Sequence, residues 1–229
     1  MPENESRVVQ PEPIAVGALV DAAAQNLPSE LQDHLPLAES AAAQNMRAVE
    51  ESSAHELENL SRQLQQAQTP NVPKNAKLIR LRHIAGVWSS LFVTKTACSS
   101  GCSHCCHLDV MVPRSEAKLM AKAIGQKLAE NVSTFGIEQA SEDRRHLGKP
   151  CTFLKDSKCS IYDHRPMMCR TLVNMDSVDV LCRLVPDVEV PVPYLNTMKL
   201  KGYFVYLTQD EQFADIRDWF PRPDSVQSR

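Results

Sequence analysis

Apolar residues before Pro70 follow a helical spacing. From Glu39 to Gln68 the chain has neither proline nor glycine. Four apolar positions there recur at intervals of three and four residues: Leu57, Leu60, Leu64 and Ala67. This spacing places them on one face, so we predict a long amphipathic helix over residues 39–68. The stripe fits either a coiled coil or docking helix for a protein partner, or a helix that lies on its own domain. We favour the latter, because a coiled coil typically needs three to four heptads.

A second helix is predicted after Pro73. Its apolar positions are again three and four residues apart: Leu78, Leu81, Ala85, Trp88 and Phe92. We expect this face to pack beneath the region that follows. Because Pro70 and Pro73 interrupt both helical patterns, they mark a boundary.

Beyond residue 107 the pattern changes repeatedly between extended and helical. LDVMV predicts a short strand, and Ser115 is expected to be the N-cap of the next helix. PCTFL and CSIY predict two extended pieces around the turn KDSK, and DHRPMMCR begins a helix near Pro166. Further along, KGYFVYLT predicts a strand and DEQFADIRDWF a helix. The fold class expected is α+β, mostly helical.

Charge and composition divide the chain in the same place. Residues 1–75 carry 4 Lys and Arg against 11 Asp and Glu, whereas the remainder carries 21 against 17. Residues 1–38 contain five prolines among acidic and small residues, which is typical of a segment without a packed core. We therefore predict a mobile acidic arm over 1–38, an amphipathic helix over 39–70 and a compact domain over 74–220. A chain lacking residues 1–70 is expected to keep the chemistry of that domain.

The chemistry is concentrated in the cysteines. ACSSGCSHCCHL places four thiols within nine residues, and PCTFLKDSKCSIYDHRPMMCR adds three more. The eight candidate metal ligands are Cys98, Cys102, Cys105, Cys106, Cys151, Cys159, Cys169 and Cys182. Thiols at this density are typical of a thiolate metal site, with zinc or an iron–sulfur cluster as the cofactor. Cys182, which lies in the apolar segment VLCRLV, is equally consistent with a small buried side chain.

The number of sites is open at this stage. In extended backbone the adjacent pair Cys105 and Cys106 would point in opposite directions and serve different metals, whereas a tight turn would let both reach one polynuclear cluster. His104 and His107 flank the pair and could replace a thiolate, but because thiols are in excess we expect each imidazole to support a ligand or to be exposed. Arg165 and Arg170 are expected at its edge, where they would offset thiolate charge.

The other compositional signals favour a cytoplasmic protein. The apolar run IAVGALV is short and has no basic residues before it, so no signal peptide or membrane span is predicted. The formal net charge of −3 gives no indication of nucleic acid or membrane as a partner. Cytosolic thiols are kept reduced, which favours metal ligation over disulfides.

The two cysteine segments resemble the CxxCxxCC family of zinc- or iron-chelating domains, to which the flagellin lysine N-methylase type of protein is related. The family pattern has a cysteine run ending in CC, followed by C-x-F-L, C-x-I-Y, R-P and C-R. In this chain those motifs fall on Cys98 to Cys106, Cys151 to Leu154, Cys159 to Tyr162, Arg165–Pro166 and Cys169–Arg170. The resemblance covers about residues 95–185 and implies metal chelation, although three residues rather than two separate Cys98 from Cys102.

Two functions are consistent with these observations. The first is a metal-chelating protein that binds zinc or an iron–sulfur centre for storage, delivery or structure. The alternative is an iron–sulfur-dependent, protein-modifying enzyme of the flagellin lysine N-methylase type. Since the sequence has no GxGxxG or other glycine-rich nucleotide loop, whether the protein is an enzyme stays undecided.

Overall fold

The computed structural model describes residues 26–222. This part of the chain is α+β and mostly helical, as predicted. Its α-helices are α1 (Ser29–Ser52), α2 (Ala54–Ala67), α3 (Lys74–Val93), α4 (Arg114–Ile124), α5 (Ile137–Glu142), α6 (Met167–Thr171), α7 (Met198–Thr208) and α8 (Ile216–Trp219). Its strands are β1 (Met111–Pro113), β2 (Leu154–Lys155), β3 (Lys158–Cys159) and β4 (Phe213–Asp215). Short 3-10 helices span His104–His107, Tyr162–His164 and Val180–Cys182.

The N-terminal helices differ from the predicted bounds. Helix α1 begins at Ser29, inside the segment expected to be a mobile arm, and includes Pro36. The predicted single helix is divided at Ser53, whose φ of −135° departs from helical geometry. Residues 1–25 of the expected arm lie outside the described residues. The division of the chain into domains stays a prediction, but residues 29–38 are helical and contribute Leu31 and Ala38 to a core.

A helical core joins the N-terminal helices to the rest of the chain. Helix α2 contributes Leu60 and Leu64, and α3 contributes Leu78 and Leu81, all at most 6% exposed. Helix α7 packs on the same core, where the Tyr203 hydroxyl donates to the Ala67 carbonyl at 2.8 Å. Each leucine buried in this way stabilises the fold by roughly 1.5–3 kcal/mol.

Two elements near the C-terminus were predicted wrongly. The predicted strand KGYFVYLT lies in helix α7, because Leu200, Phe204 and Leu207 recur at helical spacing and are buried on one face. The predicted helix DEQFADIRDWF is only the four-residue α8, preceded by strand β4. In DEQFADIRDWF the local helical periodicity is overridden because Phe213–Asp215 pairs with the distant strand β1, and the sequence does not reveal this pairing.

Strands β1 and β4 form the centre of a second core. They pair antiparallel, with Val112 opposite Ala214, and neither residue is exposed. Trp219 is 1% exposed and its indole N–H donates to the Val112 carbonyl at 2.8 Å. The predicted strand LDVMV is thus shorter and begins at Met111.

Helix α4 leaves this sheet directly after Pro113. Ser115 is not its N-cap, since the helix begins at Arg114, and the Ser115 amide donates to the Glu211 carboxylate at 2.8 Å. Gly125, at φ 67°, ends the helix in the left-handed conformation that glycine adopts without strain. No helix within residues 26–222 is both long enough and apolar enough to cross a membrane.

Candidate metal centre

The adjacent pair Cys105 and Cys106 lies in a single 3-10 turn. The turn spans His104–His107, and the Cys106 amide donates to the Ser103 carbonyl at 2.9 Å. The neighbouring Cys106 side chain and the charge of Arg165 lower the pKa of Cys105 to about 7, although burial opposes this. The Cys105 side chain and burial raise the pKa of Cys106. The turn therefore holds the two sulfurs side by side.

The two cysteine segments meet through their backbones. The amide of Cys151 donates to the carbonyl of Cys106 at 2.8 Å, and the amide of Gly148 donates to the carbonyl of His107 at the same distance. The 44 residues between Cys106 and Cys151 thus leave the site and return to it. The backbones of the two cysteine segments therefore meet at Cys106 and Cys151.

A buried ion pair holds the meeting point. The Arg217 guanidinium is paired with the Asp215 carboxylate at 2.9 and 3.0 Å. It also donates to the carbonyls of Cys106 at 3.2 Å, Leu108 at 3.0 Å and Lys149 at 2.7 Å. Because one buried guanidinium donates to all of these acceptors, it holds them in fixed positions relative to one another. Neither residue was predicted as part of the site, because the pattern D-x-R in a predicted helix gives no signal of contact with the cysteines.

Cys159 is held by the predicted pair of extended pieces. Strands β2 and β3 form a hairpin in which Leu154 lies opposite Cys159. Asp156 and Ser157 turn the chain with φ of 48° and 58°, as expected for a two-residue turn of type I′. The hairpin and its turn were thus predicted from the segment KDSK.

Cys169 lies on helix α6, which a buried carboxylate anchors. Glu116 is 0% exposed and accepts from the Met167 amide at 2.8 Å, at the start of the helix. Its other contact is Arg82, 3.0 Å away, and Arg82 in turn donates to the carbonyls of His164 and Arg165. Burial raises the pKa of Glu116 to about 7, although Arg82 and the Met167 amide oppose this rise.

Four thiols line the core around β1 and β4. Cys151 is buried in it, and three partly buried cysteines pack against it: Cys106, Cys159 and Cys169. Burial raises the pKa of Cys169 well above the usual value for a thiol, and the sulfurs of Cys105, Cys151 and Cys159 raise it further. A thiol with a raised pKa stays protonated until a bound cation compensates the negative charge of its thiolate.

Both predicted arginines lie beside these thiols. Arg165 lowers the pKa values of Cys105, Cys159 and Cys169, and its guanidinium lies 3.6 Å from the centre of the Tyr162 ring. Arg170 interacts with Cys169, while burial and the neighbouring arginines lower its pKa to about 10. The positions of both side chains agree with the sequence expectation.

The other thiols gather around Asn174, a residue that the sequence analysis did not single out. The Asn174 side-chain amide donates to the Cys182 sulfur at 3.3 Å, and the Cys98 thiol faces its backbone carbonyl at 4.0 Å. Burial raises the pKa of Cys182 to about 12, and the sulfurs of Cys102, Cys98 and Cys105 add to this rise. Cys182 thus lies among other thiols rather than alone in an apolar core.

Helix α1 covers the loop that carries Asn174. The His34 imidazole lies 2.7 Å from the carboxylate of Asp176, which is 1% exposed. Leu31 packs in one core with Leu181, which lies in the same short helix as Cys182. The segment expected to be an arm therefore contacts the cysteine region.

The flanking histidines have partners other than the sulfurs. His104 lies 3.1 Å from the Asp179 carboxylate, and His107 lies 3.1 Å from the Ser103 carbonyl. Both imidazoles therefore contact oxygen atoms of other residues.

All eight cysteines of the chain lie within residues 26–222, and each is a free thiol. In this described range, however, no group of three or more Cys, His, Asp or Glu side chains is arranged to hold a metal ion. The donor set fits zinc or iron by its soft sulfur chemistry. The two cysteine segments are fixed backbone to backbone, so metal binding would require the thiol side chains to draw together.

Comparison with known families agrees with the donor chemistry. Residues 97–188 match the model of the CxxCxxCC family, which is described as a putative zinc- or iron-chelating domain. Neither the curated proteins nor the solved structures include a significant match to the chain. This match confirms the resemblance predicted from the sequence over residues 97–188, and the description of the family supports metal chelation in general terms.

Proposed function

We propose that this CxxCxxCC domain binds zinc or an iron–sulfur centre through the thiolates of its eight cysteines, as a metal-chelating protein. The observation that carries the proposal is the hydrogen bond from the Cys151 amide to the Cys106 carbonyl at 2.8 Å. It brings together two cysteine segments that are distant in sequence, and Cys159 and Cys169 line the same core as Cys106 and Cys151.

The ligand residues would be Cys98, Cys102, Cys105, Cys106, Cys151, Cys159, Cys169 and Cys182. A bound metal or cluster would supply positive charge to a set of buried sulfurs. The thiols would lose their protons on binding, and Arg165 supports this step because its charge favours the thiolate forms of three of them. Metal affinity would consequently rise with pH over the range in which the thiols ionise.

The decisive experiment is purification of the full chain without oxygen, followed by elemental analysis and an absorption spectrum. Stoichiometric zinc in a colourless protein would support a zinc site, and iron with acid-labile sulfide in a brown protein would support an iron–sulfur centre. Protein without either metal, which also fails to take up zinc or iron after reduction, would contradict the proposal. The enzyme alternative and a cytoplasmic location stay predictions.

A further inference from the structure

The eight thiols divide between separate parts of the fold. Cys106, Cys151, Cys159 and Cys169 line the core around β1 and β4. Cys98 packs instead against a different core, which contains Val49 of α1 and Phe92 of α3. Cys182 follows Leu181, which is buried with Leu31 in a third core.

Hydrogen bonding follows the same division. Asn174 is 1% exposed and faces two sulfurs, since its side chain donates to Cys182 and its backbone carbonyl lies near Cys98. On the other side, the Cys151 amide is bonded to the Cys106 carbonyl, and Arg217 bonds to that same carbonyl. Each group of thiols is thus held by its own set of hydrogen bonds.

Cys105 differs from the other thiols in its exposure. It is exposed, whereas the other seven cysteines are buried or half-buried. It is adjacent to Cys106 in the chain, but unlike Cys106 it does not line the core around β1 and β4.

We propose that the eight cysteines form two four-thiol sites that meet at the pair Cys105–Cys106. The inner site consists of Cys106, Cys151, Cys159 and Cys169, and the outer site consists of Cys98, Cys102, Cys105 and Cys182. Four thiolates complete the tetrahedral coordination of zinc, and they also hold one iron–sulfur cluster. Because the inner group already has four sulfurs, Cys105 completes the outer group, which otherwise has three.

This assignment rests on the proposed metal-chelating function and adds a consequence for helix α1. Leu31 and His34 of this helix pack on the loop that holds Cys182 and Asn174. The outer site is therefore expected to depend on the N-terminal helix, and the inner site on the Arg217 ion pair.

The test uses the full chain, stripped of metal under reducing and oxygen-free conditions and then titrated with Zn²⁺. Native mass spectrometry counts bound zinc, and alkylation with iodoacetamide followed by peptide mapping reports which cysteines are protected. The variants are Cys98→Ser with Cys182→Ser for the outer site and Cys159→Ser with Cys169→Ser for the inner site. Ser100→Ala, an exposed change in the same loop, is the matched control.

We expect two zinc ions on the wild-type and control chains. The outer variant should keep one zinc and protect Cys106, Cys151, Cys159 and Cys169 from alkylation. The inner variant, if it folds by circular dichroism, should keep one zinc and protect the outer thiols. Should the inner variant not fold, the count on the wild type and the protection pattern of the outer variant still decide the question.

A single zinc on the wild-type chain, protected by thiols of both groups, would overturn the two-site assignment and leave the metal-chelating function intact. Loss of both zinc ions from a folded outer variant would also overturn it. A wild-type chain that takes up no zinc and no iron would instead overturn the proposed function itself.

Discussion

Arg217 shows how one side chain can organise a site that it does not itself form. Its guanidinium donates to four backbone carbonyls and to the carboxylate of Asp215. The Asp215 carboxylate also accepts from the Val110 amide at 2.7 Å. If a buried cation is removed, its anionic partner stays buried without a compensating charge. The resulting loss of stability is larger than the stability that the intact pair contributes. The cysteine segments should therefore be sensitive to a change well outside them.

We predict that Arg217→Ala lowers the free energy of unfolding by about 3–5 kcal/mol and reduces the amount of bound metal. The measurement is urea unfolding followed by circular dichroism, together with elemental analysis. Arg144→Ala is the matched control, because Arg144 is exposed and bonds only to nearby carbonyls of Ser141 and Asp143. Equal stability of the two variants would show that the ion pair does not hold the segments.

Glu116 leads to a prediction about pH. Burial raises its pKa from 4.5 to about 7 in the folded protein, despite Arg82 and Arg170 nearby. The folded state consequently binds more protons than the unfolded state between about pH 4.5 and 7, so this residue's contribution to stability falls as the pH rises.

We predict that Glu116→Gln removes this contribution. The unfolding free energy of the wild type minus that of the variant should fall by up to about 3 kcal/mol from pH 4.5 to pH 7. The wild type thus becomes less stable relative to the variant as the pH rises. Both proteins are compared in the same metal state, by urea unfolding at several pH values. A difference that does not change with pH would mean that the pKa of Glu116 is the same in the folded and unfolded states.

The cysteine ligands themselves can be tested singly. We predict that Cys105→Ser or Cys169→Ser lowers bound metal and melting temperature together, because binding free energy at a thiolate site is also folding free energy. Ser100→Ala again serves as the control. Unchanged metal content and melting temperature in both cysteine variants would remove these residues from the ligand set.

At the scale of elements, the N-terminal helices belong to the packed structure. Leu60 and Leu64 of α2 lie in one core with Leu78 and Leu81 of α3. The expectation that residues 1–70 are dispensable therefore conflicts with the packing, because their loss would expose this core to water.

We predict that Leu60→Ala and Leu64→Ala each destabilise the protein by about 2–5 kcal/mol, as large-to-small changes in a core do. Thermal unfolding of the two variants is compared with that of Gln65→Ala, a change at an exposed position of the same helix. If all three unfold at the same temperature, α2 is not part of the cooperative unit.

The sequence predicted those elements whose signal is local. The hairpin that carries Cys159 follows from a turn segment between two extended pieces, and helix α3 follows from its apolar spacing. Strand β4 could not be predicted, because it depends on pairing with β1 about 100 residues earlier. The cysteines could be predicted as metal ligands from their density in the sequence, whereas Asn174 and Arg217, which reach them only through contacts in the fold, could not.

At the scale of the whole molecule, the proposed metal sites connect three hydrophobic cores. Since the thiols line different cores, metal release is expected to weaken the packing of the entire domain. We predict that a strong chelator, added under reducing conditions without oxygen, lowers the melting temperature by roughly 10 °C or more. Differential scanning calorimetry with and without added Zn²⁺ measures the effect, and reversal by Zn²⁺ is the control. A melting temperature that stays the same after complete metal removal would contradict a structural contribution of the metal.

The position of Arg217 in the chain also has a consequence for biosynthesis. A ribosome makes all eight cysteines before it reaches this residue, since Cys182 precedes Arg217 by 35 positions. Until Arg217 emerges from the exit tunnel, the nascent polypeptide lacks the group that clamps the carbonyls of Cys106 and Lys149. Metallation of the thiols next to that clamp is thus expected to be a late event in maturation, and nascent chains would depend on cellular reductants to keep eight unprotected sulfhydryls from oxidation.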